Sequence, residues 1–306
     1  MNGPTQLAGI GYGLLAYLIW GCFPLYFRQL DGVPPMDILS NRTAWAFVFV
    51  ALLLTLRGRW RTAASLFATP HQAIRLAIAA VLLGANWLGF LWAVDQHQVV
   101  AASLGYFLTP LVNVLLGLLV LKERLNRREW LAIALAALAV GNELWSLGTL
   151  PWISLFLAAT FGVYGLLRKQ VPIDAISGLG LETLTLLPIC LVYALWQGQQ
   201  GHAVFTLAAS PATLWLIGAG VLTALPLMAF AAATQRLDLA TVGMLMYINP
   251  TMQFLTAVFL FDEPLQPARL VSFGLIWLGL LLFSSSMLQK VRRTTSMPAN
   301  RQDQEA

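Results

Sequence analysis

Four ionisable or strongly polar side chains lie within long apolar stretches of the sequence: Arg42, Asn86, Glu143 and Glu182. Polar groups inside a membrane segment are costly, so they generally face a cavity or a partner and become candidates for binding or ion transfer. Arg42 could bind an anion or pair with an acid, for which Glu143 is the candidate; an arginine that only snorkels to the interface is the alternative.

Glu182 is the candidate proton-coupling residue, because a carboxyl group desolvated inside a helix bundle can be protonated reversibly near neutral pH. A neutral glutamate that is simply hydrogen-bonded to a neighbouring helix is the competing interpretation. Both interpretations place Glu182 inside a helix, where its carboxyl group needs a polar partner.

Two segments echo each other 140 positions apart, SLGYFLTP at residues 103–110 and GMLMYINP at residues 243–250. Each is followed thirteen residues after its proline by a glutamate, Glu123 in the first copy and Glu263 in the second. The spacing predicts a duplicated structural unit.

A proline inside a helix frees the carbonyl four residues earlier, here those of Tyr106 and Met246. Polar side chains lie close to both prolines, and these are Thr109, Asn113, Asn249 and Gln253. The repetition predicts that all four face one central cavity and contact a substrate. The alternative is that kinks and amide hydrogen bonds only hold the bundle together.

Aromatic residues are also candidates for substrate contact. Trp20 and Trp87 lie deep in apolar segments and, with Tyr106 and Tyr247, could form a wall that stacks on aromatic ligands or cations. Packing between helices is the alternative. The predicted substrate-binding set therefore contains Trp20, Arg42, Asn86, Trp87, Tyr106, Thr109, Asn113, Tyr247, Asn249 and Gln253.

The elements that position these residues are predicted to be membrane helices, since 58% of the 306 residues are hydrophobic and only 10% are charged. Strand-length alternation is absent, so the predicted class is an all-α membrane protein. Ten spans are predicted, at residues 7–27, 36–56, 73–94, 100–120, 130–147, 151–167, 175–195, 211–234, 240–261 and 270–288.

The distribution of positive charge predicts that both termini are cytoplasmic. With that orientation, all but three of the 18 Lys and Arg residues fall in cytoplasmic segments, the exceptions being Arg28, Arg42 and Arg269. Five helices per half then make the second half run opposite to the first, an arrangement typical of secondary transporters. The predicted units are repeats at 1–148 and 149–290, followed by a disordered cytoplasmic tail at 291–306.

Other function classes find no support in the sequence. It contains no Walker loop and no Gly-x-Ser-x-Gly elbow, and its three histidines lack metal-ligand spacing. The net charge of +5 is dispersed over several loops, which argues against nucleic acid as a partner. We therefore predict no enzyme activity, no catalytic residue, no metal, no cofactor and no nucleotide; the expected partners are lipid and a small-molecule substrate, and a homodimer stays open.

Short motifs along the chain resemble the RarD family of bacterial inner-membrane proteins, associated with chloramphenicol sensitivity, within the EamA-type drug/metabolite transporters. The motifs are AYLIWG at 16–21, PLYF at 24–27, NW at 86–87, ASLGYF at 102–107, PLVN at 110–113, YGLLRK at 164–169 and ET at 182–183. The chain departs from the family pattern at four positions, where the family usually has His, Asn, Gln and Gly and this chain has Asn41, Thr109, Met246 and Asn249.

The resemblance implies ten helices in two inverted halves around a central cavity. It also implies an inner-membrane secondary transporter that moves small organic solutes, amino-acid-like metabolites or amphipathic drugs, by alternating access driven by a proton or other gradient. A non-transporting membrane sensor or assembly protein on the same fold is the alternative. A cavity reached from one side would favour the transporter, and polar groups sealed in helix contacts would favour the alternative.

Overall fold

The structure is a computed structural model that describes residues 3–96, 98–147, 152–200, 211–260 and 267–296. Throughout these residues the regular structure is helical, without strands, in agreement with the predicted all-α class. Glu263, Pro151, Phe261 and the tail beyond Ser296 lie outside the described residues.

Thirteen α-helices occur in the described ranges, with two short 3-10 helices at Arg28–Leu30 and Leu66–Ala68. They are α1 (Gly3–Gly21), α2 (Phe23–Phe27), α3 (Pro35–Leu56), α4 (Trp60–Ser65), α5 (Pro70–Asp95), α6 (Val99–Leu119), α7 (Arg127–Leu147), α8 (Trp152–Gln170), α9 (Ala175–Gln199), α10 (Pro211–Thr234), α11 (Leu239–Met246), α12 (Ile248–Leu260) and α13 (Pro267–Ser296).

Eight helical stretches within the described residues are long and apolar enough to cross a membrane. The predicted spans at 130–147 and 151–167 coincide with α7 and α8, which are not among the eight. Both helices have charged residues at one end, Arg127, Arg128 and Glu129 on α7 and Arg168 and Lys169 on α8.

Two helices differ from the prediction in length or continuity. The predicted span at 240–261 is divided into α11 and α12 at Tyr247, three residues before Pro250, which has no N–H to donate to the carbonyl of Met246. The last helix extends to Ser296, so residues 291–296 of the predicted tail continue α13. Pro298 is the first proline or glycine after Gly279, and no earlier residue would stop the helix.

The helices pack across the two halves of the chain. α3 packs on α9 and α10, α6 on α8 and α11, α1 on α10 and α12, α5 on α8 and α9, and α7 on α13. Glycines allow the closest crossings: a Cβ on Gly220 would lie 2.5 Å from the backbone carbon of Trp45, and one on Gly243 would lie 2.7 Å from the carbonyl oxygen of Pro110. The second crossing brings the two repeated proline segments together.

Candidate functional site

A cavity of about 500 Å³ lies between the helices of both halves. Its wall comes from the C-terminal parts of α1 and α5, the N-terminal parts of α3, α6 and α8, and the middle of α10, with α11 and α12 completing it. Phe27 and Pro35, at the ends of α2 and α3, line it too, so the cavity extends from the centre to one end of the bundle, which we call the cavity end.

Eight of the predicted substrate-contact residues line this cavity: Trp20, Arg42, Asn86, Trp87, Tyr106, Thr109, Asn249 and Gln253. They come from five different helices, and the fold rather than local sequence brings them together. Such a wall, mostly aromatic and aliphatic with a few convergent polar groups, is typical of small-molecule sites.

Arg42 is the charged residue in the cavity wall as far as the structure describes it. Its guanidinium carbon lies 4.2 Å from the centroid of the Trp87 ring, a cation–π contact. Its Nε has no hydrogen-bond partner in the described parts of the chain. The guanidinium is therefore oriented by an aromatic ring and not neutralised by an acid.

Glu143, the predicted partner of Arg42, lies elsewhere. It belongs to α7, which does not contribute to the cavity wall, and its Oε1 is without a hydrogen-bond partner within the described ranges. The ion pairs found among the described residues are Arg59–Asp174 and Arg168–Glu182.

The neutral polar groups of the wall are held by hydrogen bonds. Asn86 Nδ2 donates to the carbonyl of Leu157 at 2.8 Å and to Thr160 Oγ1 at 2.9 Å, which joins α5 to α8. Gln253 Nε2 donates to Asn249 Oδ1 at 2.9 Å, one turn earlier on α12. These bonds fix the rotamers of the amides at the cavity wall.

Thr109 uses its hydroxyl within its own helix, donating to the carbonyl of Gly105 at 2.7 Å. The bond satisfies the buried hydroxyl of the residue directly before Pro110, and its acceptor lies next to Tyr106, whose carbonyl loses a donor because proline has no N–H. Thr109 thus contributes its oxygen and methyl group to the cavity wall without a free hydroxyl proton.

Asn113 and Tyr247 are fully buried and do not line the cavity. Tyr247 donates its hydroxyl to the carbonyl of Phe107 at 3.1 Å, which ties the second proline segment to the first. Asn113 lies where α6, α8 and α11 cross; a Cβ on Gly162 or Gly165 would be 3.5 or 3.6 Å from its Oδ1. Tyr247 thus ties the crossing, whereas Asn113 packs there with an amide that has no hydrogen-bond partner among the described residues.

A layer of aromatic residues closes the cavity at its inner end, away from the cavity end of the bundle. It consists of Tyr17, Tyr164 and Phe230, all fully buried. Tyr164 and Phe230 are stacked with centroids 5.9 Å apart, and Phe230 also contacts Trp20 and Phe161, which line the cavity. We refer to these three residues as the aromatic floor.

A buried ion pair lies on the far side of the aromatic floor. Arg168 Nε is 3.4 Å from Glu182 Oε1, and both side chains are at most 1% exposed. Tyr164 donates its hydroxyl to Glu182 Oε2 at 3.3 Å. Glu182, the predicted proton-coupling residue, is therefore not in the cavity but is connected to it through one floor residue.

Sequence reasoning missed Arg168, which we had counted with the cytoplasmic loop charges. It belongs instead to α8, four residues after Tyr164 and hence on the same helical face. That spacing, together with a lone glutamate in the next helix, is the signal that could have identified the pair.

The end of the bundle opposite the cavity end is closed by polar contacts between the two halves, and we call it the closed end. The carboxylate of Glu123 accepts hydrogen bonds from the N–H groups of Leu239, at 2.6 Å, and Ala240, at 2.9 Å, at the start of α11. A helix N-terminus is a favourable site for a negative charge. Burial raises the pKa of the Glu123 carboxyl, and these two N–H groups act in the opposite direction.

Lys169 adds a second tie at the closed end. Its Nζ donates to the carbonyls of Thr234, at 3.1 Å, and Leu237, where α10 ends. Arg59 Nη1 lies 3.2 Å from Asp174 Oδ1, which also caps α9 by accepting from the N–H groups of Ile176 and Ser177. The closed end is therefore rich in charged contacts, whereas the charged residue of the cavity wall, Arg42, has no acidic partner among the described residues.

Comparison with known proteins supports the resemblance drawn from the motifs. The sequence profile of the EamA-like transporter family matches residues 7–141. An uncharacterized transporter of Pseudomonas aeruginosa is 43% identical over 288 residues, covering 93% of this chain and 96% of that protein. Protein RarD of Escherichia coli K12 is 40% identical over 295 residues, covering 96% of this chain and all of its own length.

A solved crystal structure of another protein, only 17% identical, superposes with a TM-score of 0.69 over 92% of this chain and 98% of its own. At that identity the likeness concerns the fold alone. The apolar spans and the bacterial relatives make this chain a multi-pass protein of the inner membrane. The chain belongs to the EamA-like transporter family, among its RarD members.

Proposed function

We propose that this protein is a secondary transporter that moves small organic solutes across the bacterial inner membrane through the central cavity. The observation that carries the proposal is the cavity itself, which extends from one end of the bundle to an aromatic floor and gathers polar side chains from both halves. A membrane-embedded family of transporters also argues against an enzyme.

The proposed architecture is ten spans in two inverted repeats, 1–148 and 149–290. The helix contacts support it. In chain order, α1, α3, α5, α6 and α7 of the first repeat are equivalent to α8, α9, α10, α11 with α12, and α13 of the second. When both helices of a contact are replaced by their equivalents, the result is another observed contact. α1 on α10 corresponds to α5 on α8, α3 on α10 to α5 on α9, and α6 on α8 to α1 on α12. The contacts α3–α9, α6–α11 and α7–α13 each join a helix to its own equivalent.

The proposed orientation places both termini in the cytoplasm and the cavity end towards the periplasm. The closed end carries the charged ties of Arg59, Glu123 and Lys169, and the basic residues concentrate at that end, as the positive-inside rule expects of a cytoplasmic face. The structure would then correspond to the outward-open state of a transport cycle.

Alternating access would require the aromatic floor and the closed end to open while the cavity end narrows. Glu182 is proposed as the coupling residue: protonation would neutralise it, remove its attraction to Arg168 and change its bond with Tyr164. Because Tyr164 contacts Phe161 in the cavity wall, solute binding and the ion pair could influence each other. Pairs of this kind serve as proton relays in other transporters.

Uptake into sealed, right-side-out membrane vesicles tests the proposal. A metabolite mixture is offered with and without a pH gradient to vesicles containing the wild type, Ser103→Trp or Ser65→Trp. Ser103 is an exposed residue of the cavity wall, whereas Ser65 is exposed on α4 outside the cavity wall. We expect at least one solute to accumulate with the wild type and Ser65→Trp but not with Ser103→Trp. Identical solute profiles for all three would contradict transport through this cavity.

Glu182→Gln tests the coupling residue in the same vesicles. Glutamine keeps the size and the hydrogen-bonding capacity but cannot ionise. Gradient-driven accumulation should be abolished while solute exchange stays measurable. An unchanged pH dependence of uptake would reject Glu182 as the coupling group.

A further inference from the structure

We propose that the cavity binds an organic monoanion, specifically a carboxylate attached to an aromatic or apolar body and without a cationic amino group. This inference deepens the proposed function by naming the substrate class, and it rests on that function for its transport meaning. It is carried by the charge, the geometry and the composition of the cavity wall.

Arg42 supplies the positive charge of the cavity wall. Arg42 keeps its charge at any physiological pH, since guanidinium groups are not deprotonated in proteins. It contacts Trp87 at 4.2 Å, and its Nε is unpaired in the described residues. The Trp87 ring covers a face of the guanidinium and not its edge. The N–H groups at that edge have the planar spacing that matches the two oxygens of a carboxylate.

The charge balance of the wall selects for a single negative charge. The wall has one Arg and, in its described part, no Asp, Glu or Lys. A carboxylate would neutralise Arg42 fully, while a phosphate monoester, carrying about −1.5 to −2, would remain undercompensated in a mostly apolar cavity. A cation would meet Arg42 and no acid, so it is disfavoured by charge repulsion.

The same balance disfavours amino acids with a free ammonium group. An ammonium next to the carboxylate would need an acidic partner or several carbonyl acceptors. The described part of the wall offers neutral acceptors but no acid: Asn249 Oδ1 already accepts from Gln253, and Thr109 donates to its own helix and keeps only its hydroxyl oxygen as an acceptor. The zwitterion therefore brings a charge for which this wall has little compensation.

The rest of the wall fits an aromatic or apolar body. Trp20, Phe90, Tyr106 and Phe161 line the cavity together with Trp87, which already stacks on the guanidinium. Aromatic rings gain from stacked and edge-on contacts with another ring beyond the area they bury. A volume of about 500 Å³ is in the range of sites for small organic ligands.

Binding of matched probes to the purified protein in lipid nanodiscs tests the inference. Equilibrium dialysis of tritiated 3-phenylpropanoate gives its affinity, and competition gives those of 3-phenylpropanamide, 3-phenylpropylamine and phenylalanine. These four share a ring and a short chain and differ in charge. We expect the carboxylate to bind at least about tenfold more tightly than the other three, the gain of a charge-assisted hydrogen bond.

Arg42→Gln should remove the preference for the carboxylate over the amide, and Arg42→Lys should keep only part of it. Arg28→Gln is the matched control, because it removes a positive charge from an exposed position at the same end of the bundle but outside the cavity wall. It should leave the preference unchanged, which excludes a general effect of charge on anion affinity.

Several results would overturn the inference: no measurable binding of 3-phenylpropanoate to the wild type, tighter binding of any other probe, or a carboxylate preference that persists in Arg42→Gln. None of them decides whether the protein is a transporter. That question depends on the uptake difference between the wild type and Ser103→Trp, so a failure of the substrate class can be told apart from a failure of the proposed function.

Discussion

The cavity end and the closed end of the bundle each contain a deep arginine, and the two differ in whether an acid lies beside them. Arg42 lines a cavity and contacts the face of Trp87. Arg168 is fully buried and pairs with Glu182, which Tyr164 also contacts. An arginine in a cavity can be compensated by water or a ligand, whereas an arginine in a dry core depends on its permanent partner.

The comparison teaches that depth in the membrane does not by itself define a binding residue. What distinguishes Arg42 from Arg168 is whether the fold supplies an anion. At the closed end it supplies Glu182 and a set of charged contacts between the halves; at the cavity end no acid among the described residues lies in the wall beside Arg42. We therefore expect mutations at the two ends to separate stability from binding.

The largest difference is expected between Arg168→Gln and Arg42→Gln. Removing Arg168 leaves Glu182 buried without its ion-pair partner, which should lower the unfolding free energy by about 3–5 kcal/mol. Removing Arg42 relieves an uncompensated charge and should leave stability within about 0.5 kcal/mol. Thermal unfolding of both variants in the same detergent measures this, and equal losses would refute the distinction between the two ends.

A second comparison uses two glycines and probes how closely α10 packs on α3. A Cβ on Gly220 would lie 2.5 Å from the backbone of Trp45, so Gly220→Ala should destabilise by about 1–3 kcal/mol through overpacking. Gly274→Ala is the control, since a Cβ there meets nothing within 4 Å, and it should be neutral or slightly stabilising. Denaturant unfolding in mixed micelles gives both values; a neutral Gly220→Ala would show that α3 and α10 can separate without cost.

The smallest effect is expected at the tie between the halves. Glu123→Gln keeps one acceptor oxygen for the N–H groups that begin α11 but removes the negative charge. The loss should be about 0.5–1 kcal/mol, the value of a charge at a helix N-terminus. If this tie closes the cytoplasmic face, the variant should also favour the inward-open state. A stability above that of the wild type at pH 7 would mean that burial of the charge outweighs the helix dipole.

The sequence predicted which residues line the cavity better than it predicted which polar residues are buried in helix crossings. Trp20, Arg42, Asn86 and Gln253 were identifiable because polar or aromatic groups within apolar stretches must face something other than lipid. The same argument could not separate a cavity from a tight crossing. Tyr247 carries an equally suitable side chain but is directed to the carbonyl of Phe107.

Other features depended on contacts that are remote in sequence. Arg168 resembled one more basic residue near a loop, and only the packing of α8 on its neighbours buries it beside Glu182. The break at Tyr247, in contrast to the uninterrupted α6 around Pro110, could not be read from two similar proline segments. The family, the all-α membrane class and the inner-membrane location, each predicted from motifs and composition, are confirmed.

The most direct test of the account is the labelling of a cysteine in the cavity wall from each side of the membrane. In a background with Cys22→Ser and Cys190→Ser, Gln253→Cys is exposed to a membrane-impermeant maleimide in spheroplasts and in inside-out vesicles. The account predicts fast labelling from the periplasmic face and slower but measurable labelling from the cytoplasmic face, because the site alternates. Labelling from one face only, under every gradient applied, would contradict alternating access, and labelling from neither face would contradict the cavity as the transport path.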